Sequence, residues 1–142
     1  MPDVATARDE IYTLLQDEWD GDVVSSPLPL VYWDVSQDIP ETASPWARAT
    51  LQHFTGGQAS LAGDVGQVKF QRDGTLTVQI FTPAGEGLST ADALVMIVMR
   101  AFEGRATPSG VWFRSVRINE VGINGSWFQT NVLADFTYDE VK

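Results

Sequence analysis

Apolar side chains recur at a helical period in the first twenty residues. Val4, Ala7, Ile11, Leu14 and Leu15 fall on one stripe, with Asp9, Thr13, Gln16 and Asp17 opposite. That spacing predicts an amphipathic helix over residues 4–19, stopped near Gly21. After a Ser-Ser-Pro-Leu-Pro break, residues 30–33 read as a short strand. Residues 34–45, with Pro40, Pro45 and three acids, read as an irregular connection. From residue 46 to 54 the period becomes two: Ala47, Ala49 and Leu51 alternate with Trp46, Arg48, Thr50 and Gln52, the mark of a strand with one buried face.

Residues 55–66 are rich in glycine and other small residues and have no helical period, which predicts a long flexible hairpin loop. Residues 68–82 read as extended chain interrupted by a turn or bulge at Asp73-Gly74, with Leu76, Val78 and Ile80 sharing one face. Ala84-Gly85-Glu86-Gly87 reads as a turn. Ser89, with Asp92 three residues on, resembles a capping box for a second helix that runs to about Glu103 and stops at Gly104. That helix is apolar over most of its circumference, so it belongs largely inside. Met96 and Met99 extend its apolar surface toward Asp92, Arg100 and Glu103, and suit either core filling or a subunit contact. Two strands close the chain, at 111–119 and 126–138. The second alternates with Phe128, Thr130, Val132, Ala134, Phe136 and Tyr138 on one face. The order predicts one α+β domain over 1–142: an antiparallel-rich sheet with two α-helices packed on one face.

Composition narrows what such a domain does. The chain of 142 residues has 19 acids against 9 bases, a formal net charge of −10, one histidine and no cysteine. Disulfides, thiolate metal sites and cysteine nucleophiles are thereby excluded. So acidic a chain is a poor general binder of nucleic acid, which is gripped through lysine and arginine. Seven of the acids (Asp3, Asp9, Glu10, Asp17, Glu18, Asp20, Asp22) fall in residues 1–22 beside one base, Arg8. Asp17, Glu18 and Asp20 sit near the C-terminal end of the first helix, where its dipole disfavours them. That face is therefore either an ordinary solvated one or serves something other than helix stability. The acidic start lacks the basic and apolar segments of a signal peptide, and the longest apolar run, 93–99, is far below the ~20 residues that span a bilayer. The expectation is a chain that stays where it is made.

Few residues suggest catalysis. A Ser-His-Asp triad would need His53, at the end of a predicted strand, and no G-x-S-x-G elbow accompanies it. Gly85-Glu86-Gly87-Leu88-Ser89-Thr90 lies between a strand and a helix but has Thr90 where a dinucleotide loop has its third glycine, and Glu86 and Asp92 would repel phosphate. Asp17, Glu18, Asp20 and Asp22 lack the spacing of a calcium loop. No metal or cofactor is expected, and a structural or assembly role fits better than an enzymatic one.

Several segments together carry a resemblance. They are Tyr32-Trp33-Asp34 before a proline-bearing connection, Trp46-Ala47-Arg48-Ala49-Thr50-Leu51 before a Gly-rich loop, and residues 74–87 (GTLTVQIFTPAGEG) directly before an apolar helix. The last is residues 125–132 (GSWFQTNV). With the N-terminal amphipathic helix, this pattern is similar to the tail terminator-like family of long-tailed bacteriophages and phage-derived particles. The resemblance implies a non-enzymatic virion protein, made in the host cytoplasm, that forms a ring, typically a hexamer. Such a ring caps the head-proximal end of the tail tube, ends tube polymerisation and presents the surface for head attachment. Its partners would be copies of itself, the tail tube protein and head–tail connector proteins. DNA would pass without being specifically bound, and no membrane would be involved.

On that expectation the 55–66 loop (Gly56, Gly57, Gln58, Ser60, Leu61, Asp64) is a candidate for tube docking. Met96, Met99, Arg100, Arg105, Arg114 and Arg117 are candidates for the subunit interface, the arginines pairing with acids of a neighbour. Asp9, Glu10, Asp17, Glu18, Asp20 and Asp22 are candidates for an acidic lumen or surface that repels phosphate. The competing readings are a head–tail joining or tail-completion protein of the same architecture, a small hydrolase using His53, and a small-ligand binding module.

Overall fold

The computed structural model describes residues 2–22, 28–32, 44–58, 67–85 and 87–141. Helix α1 spans Val4–Gly21. Strands β1 (Leu30–Tyr32), β2 (Trp46–Gln58) and β3 (Lys69–Pro83) follow, then helix α2 (Ser89–Phe102) and strands β4 (Trp112–Asn124) and β5 (Trp127–Val141). Among the described residues the strands form a five-stranded sheet of order β1-β2-β3-β5-β4, in which only the short β1–β2 pair is parallel. Both helices pack on one face, so the α+β arrangement read from the chain is the one observed.

The core lies between the helices and that face. Ala7, Ile11, Leu15 and Trp19 of α1 recur every four residues, the spacing that stacks side chains on one side of a helix. Leu94, Val95, Ile97, Val98, Ala101 and Phe102 of α2 meet Ala47, Ala49 and Leu51 of β2, Leu76, Val78 and Ile80 of β3, and Val132, Ala134, Phe136 and Tyr138 of β5. Trp19 extends the predicted stripe by one turn, and its indole N–H donates to the Leu28 carbonyl at 2.9 Å, tying α1 to the entry of β1. Tyr32 Oη donates to Gln16 Oε1 at 2.6 Å and its ring packs on Tyr12.

Local details differ from the sequence expectation; β4 and β5 run on to Asn124 and Val141, beyond the expected 119 and 138, and three further places stand out. First, Asp73-Gly74 makes no turn. Lys69–Pro83 is one continuous strand, and the irregularity lies on its partner, between His53 and Thr55. A Cβ on Gly74 would collide with the Phe136 ring and the Gln52 carbonyl oxygen, so this glycine lets an aromatic ring cross the strand. Second, β2 continues to Gln58. Gly56, Gly57 and Gln58 pair with Arg72, Gln71 and Phe70, so the start of the expected 55–66 loop is strand, held by a ladder that periodicity could not reveal. Ser60, Leu61 and Asp64 lie outside the described residues. Third, Ser89 is the first residue of α2 rather than its cap. Leu88 occupies the capping position and supplies no side-chain bond. Gly85 and Gly87 before it have φ of +88° and +79°, a left-handed backbone that explains their place in the turn without any ligand.

Candidate assembly surfaces

Of the acids at the C-terminal end of α1, Glu18 and Asp22 have a tertiary task. Glu18 receives Arg105 Nη2 at 2.7 Å and Arg100 Nε at 3.6 Å, and Asp22 receives Arg100 Nη2 at 3.0 Å. Glu10 accepts the Ser109 backbone N–H through both carboxylate oxygens, at 3.0 and 3.2 Å. Three of the six candidate lumen acids thus fasten α1 to α2 and to the turn that follows it. Asp9, Asp17 and Asp20 remain exposed on the outer side of α1. Asp9, Glu10 and Asp17, with Thr13, Leu14 and Pro108, line a recess of about 280 Å³.

The arginines expected to reach a neighbour have partners in their own chain. Besides Arg100 and Arg105, Arg117 Nη1 meets Asp135 Oδ2 at 2.8 Å and Arg114 Nη2 meets Asp73 Oδ1 at 3.7 Å. Spacing along the chain could not show this, because β4 and β5 bring these charges together across the sheet. A subunit contact would exchange these solvent-facing pairs rather than create pairs from unused charges. Met99 packs partly buried against the core, whereas Met96 is 62% exposed.

The sheet face away from the helices is a hydrogen-bonded polar surface. Arg48 Nε donates to Gln79 Oε1 at 2.8 Å, Thr75 Oγ1 to Asp135 Oδ1 at 2.7 Å, and Thr137 Oγ1 to Asp73 Oδ1 at 2.7 Å. Partial burial works against the Asp135 charge, but the bonds from Thr75 and Arg117 outweigh it and hold the carboxyl below its usual value. At one end of this face Trp46 stacks on Phe81 with ring centroids 4.4 Å apart, Trp127 meets Trp46 edge-on, and Val31 joins them.

Trp112, Ile118, Val121 and Ile123 place four exposed large apolar side chains on β4, an edge of the sheet. Apart from one bridge between Ala106 and Trp112, its outer side is unpaired among the described residues. Ile118 and Ile123 face the same side as their partners Val132 and Phe128, toward the helices but beyond their cover, and Ile123 is 73% exposed. Val121 is exposed at the second of two irregularities in the β4–β5 ladder. Arg114, Arg117, Glu120 and the two bulges interrupt this edge, as protected edges do, yet Ile118, Val121 and Ile123 leave it an apolar stretch that periodicity did not single out.

His53 is held by the core rather than by a catalytic set. Its Nε2 lies 2.8 Å from Tyr138 Oη and its ring meets Phe136 edge-on. Burial first, then the Arg8 and Arg72 guanidiniums, hold it below the ordinary imidazole value, and burial pushes the Tyr138 phenol up. Among the described residues no three His, Asp or Glu side chains gather as metal ligands would, and no helix is long and apolar enough to cross a membrane.

No family model matches the chain, and no curated protein is similar to it in sequence. Solved structures do share its fold. One, of a protein described without a function, is 16% identical over 92% of each chain, with a TM-score of 0.69. Another, a chain in the virion of a native gene transfer agent particle, is 16% identical over 95% of this chain and 96% of its own, with a TM-score of 0.50. At these identities the likeness is one of fold, and it extends over nearly the whole of each chain.

Proposed function

We propose that this chain is a structural protein of a phage or phage-derived particle and that it serves as the tail terminator. It would assemble as a ring, a hexamer in the family it resembles, close the head-proximal end of the tail tube and form the surface for head attachment. The observation that carries this reading is the likeness of its fold, end to end, to a chain of the gene transfer agent virion. The apolar stretch of β4 supports assembly, because exposed Ile118, Val121 and Ile123 on a sheet edge gain by being covered. Asp9, Asp17 and Asp20, the acids of α1 outside the ion pairs, would let DNA pass by repelling its phosphates.

Particles made without this chain test the role. A terminator leaves overlong tails, whereas tails of normal length without heads would replace this reading with that of a head–tail joining protein. Deleting residues 57–64 separates tube docking from ring formation. Rings that form but no longer control tail length would place docking in that segment, and unchanged tails would remove it.

A further inference from the structure

Two unlike apolar patches stand at opposite edges of the sheet, both on the side that bears the helices. One is the β4 stretch, where Ile118, Glu120 and Ile123 share that side with their partners Val132, Thr130 and Phe128. The other lies along β2. Strand β1 pairs only with Ala47, Arg48 and Ala49, so the later part of β2 is an unpaired edge among the described residues. A recess of about 300 Å³ opens there, lined by Val4, His53, Phe54, Gly56 and Arg72. Val4 and Phe54 leave apolar surface uncovered beside it, at 41% and 59% exposure. Gly56 shapes it, because a Cβ there would come within 2.5 Å of Arg72 Nη1. The Arg72 guanidinium is fixed in place by Glu140 Oε2, which accepts its Nε–H at 3.2 Å. The recess therefore combines an apolar mouth with a positive charge. The β4 patch has the opposite charge beside its apolar side chains: Glu120 is exposed and forms no ion pair among the described residues.

We infer that the β4 edge of one copy docks on the β2 edge of the next, with Ile123 seated in the recess beside Val4 and Phe54 and Glu120 turned toward Arg72. The inference rests on the ring reading above and names its subunit contact. A closed ring repeats one interface between two different patches, whereas a two-fold dimer sets a patch against itself. Patches on opposite edges of one sheet meet the first requirement. The contact is made by side chains rather than by an added strand ladder, because Arg114, Arg117 and two irregularities guard β4 against strand pairing. Asp9, Asp17 and Asp20 take no part in it and remain for the channel. The geometry also orients the subunit. Arg72 is level with Tyr138 of β5, and Ile123 with Phe128, so the patches occupy diagonal corners of the sheet. Rotation about a ring axis preserves height along it, so joined corners require strands oblique to that axis.

The chain has no cysteine, so introduced thiols report one contact at a time. Phe54→Cys and Ile123→Cys change exposed positions, and each variant should melt within a few degrees of the parent. The two full-length variants are mixed where the parent sediments as an assembly, and a short thiol cross-linker is added. The expected product joins position 54 to position 123 about tenfold faster than either variant links to itself, because docking raises the local concentration of the two thiols. A chain carrying both thiols should give a ladder of linked species beyond the dimer. Ile123→Ala should weaken assembly about tenfold, the scale of one aliphatic side chain left uncovered, and Glu120→Gln should lessen its dependence on salt. A parent chain that assembles while positions 54 and 123 show no preference for each other would overturn this contact and leave the ring reading intact. An Ile123→Cys chain that links chiefly to itself would overturn it in favour of a two-fold contact. A thiol at position 54 that links only to the tail tube protein would overturn it by giving the recess another occupant. A parent chain that stays monomeric at every concentration and on isolated tail tubes would overturn the ring reading, and this contact with it.

Discussion

Gly74 is the position where one atom decides most. The residues a Cβ would strike are a core aromatic ring and a strand carbonyl, and the carbonyl cannot swing aside as a side chain can. Gly74→Ala should therefore destabilise the chain by about 1–3 kcal/mol, the usual cost of overpacking. Gly57→Ala, which meets nothing within 4 Å, should stay within about 0.5 kcal/mol. Urea melts of both variants check the contrast. Asp135 gives a pH-dependent prediction. Its carboxyl is depressed in the folded chain by Thr75 and Arg117 against the effect of burial. The stability it contributes is thus fully present above the unfolded value of about 4 and is lost as pH falls through the folded value. Asp135→Asn should be less stable than the parent near neutrality, and the gap should close on acidification. A gap that does not close on acidification would assign the loss to packing instead.

Among the elements, α1 shows how a local conflict is settled by tertiary contact. Acids at its C-terminal end oppose the helix dipole, and two of them, Glu18 and Asp22, meet the arginines of α2 and the turn after it. A double-mutant cycle of Glu18→Gln with Arg105→Gln should give a coupling below about 1 kcal/mol, because the pair faces solvent, and salt should shrink it. A coupling unaffected by salt would contradict that account. The helix itself was legible in its apolar period, but of the expected stripe Val4 is exposed and Leu14 only partly buried, and Trp19 was missed. The strands were legible where alternation was clean, as in Leu76, Val78 and Ile80. Their ends were not: Gly56 and Gly57 are strand residues because Arg72 and Gln71 lie alongside, a fact carried by β3 and not by their own neighbours in sequence.

For the whole molecule, the balance of covered and uncovered surface points to assembly. One sheet face bears the helices, the other carries a hydrogen-bonded polar network with an aromatic cluster at one end, and exposed apolar side chains remain on β4. Replacing Ile118 and Ile123 together by lysine should abolish assembly while leaving the melting temperature of the isolated chain within a few degrees, since both side chains are largely exposed. Sedimentation and thermal melts on the same samples check both halves. Rings that survive the double substitution would move the interface elsewhere on the molecule.

The sequence by itself determined the class of fold, the two helices, the buried faces of the central strands and the chemistry that a cysteine-free, single-histidine chain cannot perform. Those properties follow from composition and from local periods, which depend only on near neighbours. It also placed the acids and the arginines, but not their pairing. Only the tertiary structure decided that Arg100 and Arg105 are spent on Glu18 and Asp22, that Arg117 is spent on Asp135, and that the Arg8 Nε is buried without an acceptor among the described residues. The reason is physical. A charge interacts through space with whatever the chain brings near it, and residues 78 or 87 positions apart become neighbours only when α1 and α2 pack together.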